Sequence, residues 1–178
     1  YIAKLSQLKN IEVVDAELPK EMESTHDIHQ TIYNKTLSYY FKDEYTQVDF
    51  VSPVMKELIT KGNDTSLEAY TVAIEDQNTL ITKMDEWFDQ YDVLISLSTA
   101  GEAPSREVTE FPDPALMWTL THLPVVSVPQ FYSPLGLPFG MQIAARKYND
   151  YLLFNFLDYL RENEVIPKLS YYKKVYDK

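Results

Sequence analysis

The chain has 178 residues, 45% of them hydrophobic and 24% charged, which fits one globular domain with a real core rather than a disordered segment. A formal net charge of -11 and a pI near 4.6 argue against nucleic acid or an anionic membrane as a partner, because both need a positive footprint. There is no cysteine, hence no disulfide framework and no cysteine nucleophile, and no uninterrupted apolar run approaches the length of a membrane span.

The first residues, Tyr1-Ile2-Ala3-Lys4, are neither an initiator methionine nor a signal peptide. They read as the middle of a helix, so the chain is expected to be a piece of something longer, and cytoplasmic. Ile2, Leu5 and Leu8 stand at helical spacing and predict a helix end over 1–9. Ile11 to Asp15 is a short strand-like run, closed by Leu18-Pro19. From Glu21 to Phe41, the stripe Met22, Ile28, Ile32, Leu37 and Tyr40 predicts one long helix or two. Residues 43–49 are polar and predict a loop. Ser52-Pro53 is a helix start, with Ser52 as cap, running to about Lys61 and ended by Gly62. Ser66 caps a further helix over 67–91, with Ala69, Val72, Ala73, Leu80, Met84, Trp87 and Phe88 among its apolar positions.

Tyr91 to Ile95 is a buried-strand candidate, followed by a loop from Ser96 to Pro104. Residues 105–113 are polar and proline-flanked, and 114–120 predict a short helix. The stretch from Trp118 to Arg146 then carries two apolar runs, Val125–Val128 and Phe139–Ala145, each preceded by a Leu-Pro pair. Proline donates nothing to a ladder and suits a strand's first residue. Gly136 supplies a positive φ between the runs, so the reading is strand, turn, strand. Asn149-Asp150 caps a final helix over 151–161, with Leu152, Leu153, Phe156, Leu157 and Leu160 on its buried side. Helices interleaved with about four separated strands imply an α/β fold with helices packed on a mixed sheet, in one domain over 1–178.

Gly136-Leu137-Pro138-Phe139-Gly140-Met141-Gln142, followed by Asp150 and preceded by Leu123-Pro124 and its valine run, resembles the closing part of the amidase signature family. Weaker likenesses extend to Glu17-Leu18-Pro19, to the Tyr91-Asp92 strand and to Ala103-Pro104. The resemblance implies the C-terminal part of a larger α/β domain that hydrolyses carbon–nitrogen amide bonds. It also implies catalysis by two serines and a lysine, with a Gly/Ser-rich segment holding the oxyanion. This chain has four glycines, Gly62, Gly101, Gly136 and Gly140, and no Gly/Ser-rich stretch. No catalytic residue is therefore assigned, and the isolated chain is expected to be inert.

What such a half contributes is sheet and pocket wall. The candidate substrate-binding residues are Thr99 and Ala100, with Ser98 beside them, after the Tyr91–Ile95 strand, where open sheets tend to place ligands, and Phe111, Asp113 and Trp118. Three of them have a plainer alternative. Trp118 serves equally as a core residue, Thr99 as a turn hydroxyl bonding its own backbone, and Asp113 as a turn residue. Three departures from the family pattern stand at His122, Leu97-Ser98 and Ala144-Ala145. His122 has no nucleophile beside it and reads as packed or solvated, and Gln142 as a structural residue bonding neighbouring backbone. His26 and His29, with Glu23, form a conceivable metal cluster, for which solvated helix side chains are the favoured reading.

No cofactor and no metal are expected. The expected partners are a small-molecule amide substrate in the intact protein and the missing N-terminal half of the domain, with no nucleic acid and no membrane. Pairing of two copies through an open sheet edge is an open alternative. The rival functional class is a non-catalytic binding or scaffold module that keeps the half-fold.

Overall fold

The structure, a computed structural model, describes residues 1–47, 50–108 and 113–166. In chain order its elements are α1 (Ile2–Leu5), a 3-10 turn (Lys20–Ser24), α2 (Thr25–Tyr40), a second 3-10 turn (Glu44–Thr46), α3 (Pro53–Asp64), α4 (Leu67–Trp87), β1 (Val93–Leu97), α5 (Leu116–Leu120), β2 (Val125–Tyr132), β3 (Pro138–Ala145) and α6 (Asp150–Glu162). They fall into two compact units. The first gathers Tyr1–Leu18, Phe88–Pro114 and Leu123–Lys178, and the second Pro19–Trp87 and Ala115–His122.

The first unit is built on a sheet of three strands in the order β1-β3-β2. Both pairings are antiparallel, with Val93 opposite Ala145 and Val125 opposite Ala144. The α/β class holds, but the described strands are antiparallel throughout where a mixed sheet was expected. Side chains alternate across β3. Met141, Ile143 and Ala145 share one face and pack with Val128, Leu5, Leu153, Leu160 and Val165. That face is the core, and α6 covers it with Leu153 and Leu160.

The connection between β2 and β3 follows its turn chemistry. Gly136 takes φ +80 and its N–H donates to Ser133 O at 2.9 Å. Ser133 Oγ accepts from the N–H groups of Leu135 and Leu137, each at 3.2 Å. The register slips between Pro129 and Phe131, next to a residue without a backbone donor. α6 begins without the expected side-chain cap, since Asn149 makes no capping bond. It ends in a full left-handed motif. Glu164 has φ 57, its N–H donates to Arg161 O at 3.2 Å, and Val165 N–H donates to Leu160 O at 2.9 Å. Val165 then buries against Leu160, the apolar contact that accompanies this ending. Tyr159 ties the helix to the chain's start by donating its hydroxyl to Lys9 O at 2.6 Å. Tyr1 packs edge-on to Phe131, and burial pushes its phenol up to about 12.

The strand expected over Ile11–Asp15 is irregular backbone. Its alternation is nonetheless real from Ile11 to Val14, because Ile11 and Val13 pack against the core while Glu12 and Val14 stay exposed. The apolar side chains found a surface, and among the described residues the backbone has no ladder partner.

The second unit is helical. Ser52 Oγ accepts from Met55 N–H at 3.2 Å and Pro53 opens α3, as the sequence predicts. Gly62 does not end that helix, which continues to Asp64. It is instead the point where α3 meets α2. A Cβ on Gly62 would stand 1.9 Å from Asn34 O and 2.8 Å from Ser38 Cβ. The end of α3 is held by a cation: Lys35 Nζ donates to Gly62 O at 3.2 Å and Thr65 O at 2.6 Å. Ser66 Oγ accepts from Ala69 N–H at 3.0 Å and caps α4, which stops at Trp87 rather than at Tyr91. Gln77 of α4 donates to Leu120 O at 2.8 Å and so fixes the end of α5.

Candidate functional site

The sheet face opposite α6 carries a polar row beside the apolar row of Leu94, Ala144 and Val125. Ser96, Gln142 and Ser127 stand in one row across β1, β3 and β2. Gln142 is buried and donates from Nε2 to Ser96 Oγ at 3.0 Å. Its partner is therefore a side chain across the ladder, not the neighbouring backbone that the sequence suggested. In the next row Ser98 N–H donates to Gly140 O at 3.0 Å, so pairing runs one residue past β1. Gly140 leaves room for its neighbours. A Cβ there would meet Val128 O at 2.7 Å, Ser98 Oγ at 3.0 Å and Ser127 Oγ at 3.3 Å. Two hydroxyls thus occupy the space over a bare backbone at the end of β1. Ser127 and Gly140 were not among the expected site residues. The signal for them is the two-residue alternation that puts Met141 and Ile143 in the core and their neighbours on the other face.

Thr99 and Ala100 follow directly and are exposed. Thr99 donates its hydroxyl to Gly101 O at 2.7 Å, the local turn bond that was its plainer reading. Glu102 closes this loop half-buried, with one carboxylate oxygen buried and lacking a protein partner among the described residues. Asp113 is exposed and belongs to the same unit. Phe111 lies outside the described residues. Trp118 belongs to the second unit, on α5, where it is buried and its indole N–H has no acceptor among the described residues. A buried unpaired donor is costly, so a group that supplied an acceptor there would be favoured.

The histidines do not assemble chemistry. His122 is exposed, sits just past α5 at φ 58, and brings Nε2 to 3.4 Å from Gln77 Nε2. The left-handed conformation at this position suits a residue without a Cβ. His29 stacks on Tyr33 with ring centroids 5.6 Å apart. Burial, and then the neighbouring His26, hold its pKa below the usual histidine value. Among the described residues no group of three or more His, Cys, Asp or Glu side chains is placed to hold a metal, so His26, His29 and Glu23 do not form the conceivable cluster. No helix of the described residues is long and apolar enough to cross a membrane.

Solved structures share this fold. An amidase crystal structure superposes with a TM-score of 0.69 at 15% identity, over 77% of this chain and 35% of that one. An inhibitor-bound complex, described as revealing the evolutionary origins of an s-triazine catabolic enzyme, gives 0.73 at 20% identity, over 85% and 36%. In sequence, one subunit of the glutamyl-tRNA(Gln) amidotransferase of Borreliella afzelii is 31% identical over an alignment of 133 positions that covers 66% of this chain and 27% of that protein. The chain thus spans about a quarter of the length of that relative. The amidase family model matches residues 1–154, and the chain belongs to the amidase family.

Proposed function

We propose that this chain is the C-terminal part of an amide-bond hydrolase, supplying sheet and pocket wall while the reacting groups lie elsewhere in the intact protein. Its two units would then belong to one family domain, a reading supported by a family match that runs through both of them. The observation that carries the proposal is the span of the match. Residues 1–154 fit the family, yet the matched segment is only 27% of the relative's length, and this sequence has no Gly/Ser-rich oxyanion segment among its four glycines. Cleavage needs an activated nucleophile and preorganised donors, and no such set is assigned to these residues.

Within that reading, Thr99, Ala100 and Asp113 of the first unit contribute pocket wall, with Ser98 and Ser127 as neighbouring hydrogen-bond donors, while Phe111 and, in the second unit, Trp118 keep the substrate-binding role expected from the sequence. The substrate is a small-molecule amide, and the place of work is the cytoplasm. Association of two copies is one arrangement open to the chain. The test is kinetic. In a longer parent polypeptide with amidase activity, Thr99→Val and Trp118→Ala should raise KM more than they lower kcat, as expected for groups that hold substrate rather than react with it. Unchanged KM in both variants would remove these residues from the pocket. A non-catalytic scaffold module remains the second reading, favoured by the missing oxyanion segment. A longer parent without any amidase activity would favour it.

A further inference from the structure

The two edges of the three-stranded sheet differ, and the ladder shows how. In antiparallel pairing, facing residues alternate between pairs that exchange both backbone bonds and pairs that exchange none. Ser98 N–H donates to Gly140 O at 3.0 Å, so Ser98, Ser96 and Leu94 turn their backbone groups toward β3. Val93, Ile95 and Leu97 therefore turn theirs outward, where no ladder partner stands among the described residues. On the opposite side Ala145 N–H donates to Pro124 O at 3.1 Å, which makes Val125, Ser127 and Pro129 the outward residues of β2.

β2 is built as an edge that ends a sheet. Pro129 puts a residue without an N–H at an outward position, and the register slips directly after it. β1 has no proline, no charged side chain and no register slip. The core gives the same answer independently. Val128, Met141 and Leu97 form one row across β2, β3 and β1, and residues facing each other across a ladder share a face. Along that row the exposures are 6% for Val128, 2% for Met141 and 51% for Leu97. The apolar face is closed at β2 and left open at β1.

We infer that β1 is the seam along which the intact protein continues this sheet, through a strand drawn from the polypeptide outside these residues. The inference rests on the reading of the chain as part of a larger amide-hydrolase domain. A strand is the occupant because it alone offers alternating N–H and C=O groups to the outward backbone of Val93, Ile95 and Leu97. Its side chains on the α6 face are apolar and cover Leu97. The parent polypeptide is the source, because the chain spans 27% of the amidotransferase subunit and 35% of the amidase structure it superposes on. Pairing at this edge also holds the end of β1 from which Ser98, Thr99 and Ala100 follow, so the seam steadies the candidate pocket wall.

The experiment is residue-resolved amide hydrogen exchange on a longer parent polypeptide, run beside the 178-residue chain. The amides of Val93, Ile95 and Leu97 should exchange about a hundredfold or more slowly in the parent than in the chain. Those of Leu94 and Ser96 should be slow in both, and those of Val125 and Ser127 fast in both. Leu97→Pro removes one outward N–H without touching the bonds between β1 and β3. It should lower the parent's unfolding midpoint and leave that of the chain nearly unchanged. Three results overturn the inference: protection gained at Val125 and Ser127 instead, fast exchange at Val93, Ile95 and Leu97 in the parent, or full protection of those three in the chain alone that rises with its concentration, which assigns the edge to a second copy. Amidase activity is read separately. An active parent with fast β1 amides overturns this inference and leaves the hydrolase reading standing, whereas an inactive parent with slow ones does the reverse.

Discussion

The sheet unit and the helical unit hold themselves together by opposite means. In the first, large side chains fill the space: Ile143, Met141, Leu153 and Leu160 interdigitate between β3 and α6. In the second, the contact between α2 and α3 depends on a missing side chain, since Gly62 lets the α3 backbone come against Asn34 O. The lesson concerns glycine. The residue that ends helices by adopting positive φ also lets two helices touch, and a sequence shows the letter without its use. Side-chain packing announces itself by period, whereas backbone approach does not.

The sharpest test of the sheet is Ile143→Ala. This fully buried residue should lose about 4 kcal/mol, the transfer term plus the cavity left under α6. Hydrogen exchange should accelerate first in β2, β3 and α6. Next is Gly62→Ala, expected to cost about 3 kcal/mol because the neighbour at 1.9 Å is backbone and cannot rotate away. A stabilising result there would show that Gly62 behaves as an ordinary helix interior residue. Lys35→Met keeps the stem and removes the two bonds to the end of α3. A loss of about 1 kcal/mol in denaturant unfolding is expected.

The smallest expected effect is a pH dependence in the helical unit. The pKa of His29 is lowered in the folded chain, so the unfolded chain binds more protons between that value and the ordinary histidine value near 6.5. Stability should therefore be full above about pH 6.5 and fall as pH drops through the window below it. The effect is modest because the ring is partly exposed. His29→Phe, which keeps the stack on Tyr33, should flatten that slope. An unchanged slope would assign the titration to other groups.

Much of the sheet unit was legible. The Leu-Pro pairs, Gly136 and the apolar runs located β2 and β3 within a few residues, and the leucine spacing located α6. The direction of the strands was not legible, because an interleaved order of helices and strands suggests crossovers, whereas β1 runs antiparallel to β3. Ile11–Asp15 misled because alternating burial shows which side chains face a core, not whether a backbone partner exists. That Thr99 and Ala100 lie in the loop just past β1 was legible, and so was the plainer reading of Thr99, which spends its hydroxyl on Gly101. Ser127 and Gly140 went unnoticed because their meeting with Ser98 depends on ladder register, which a single sequence leaves open.

The central claim is that these residues wall an amide-cleaving pocket without supplying its reacting groups. Its most direct test is turnover by the purified 178-residue chain against a panel of small aliphatic and aryl amides, run beside a longer parent polypeptide. The account predicts release of ammonia or amine by the parent and none above the buffer rate by the chain alone. Hydrolysis by the chain that follows its concentration and survives rigorous repurification would contradict it.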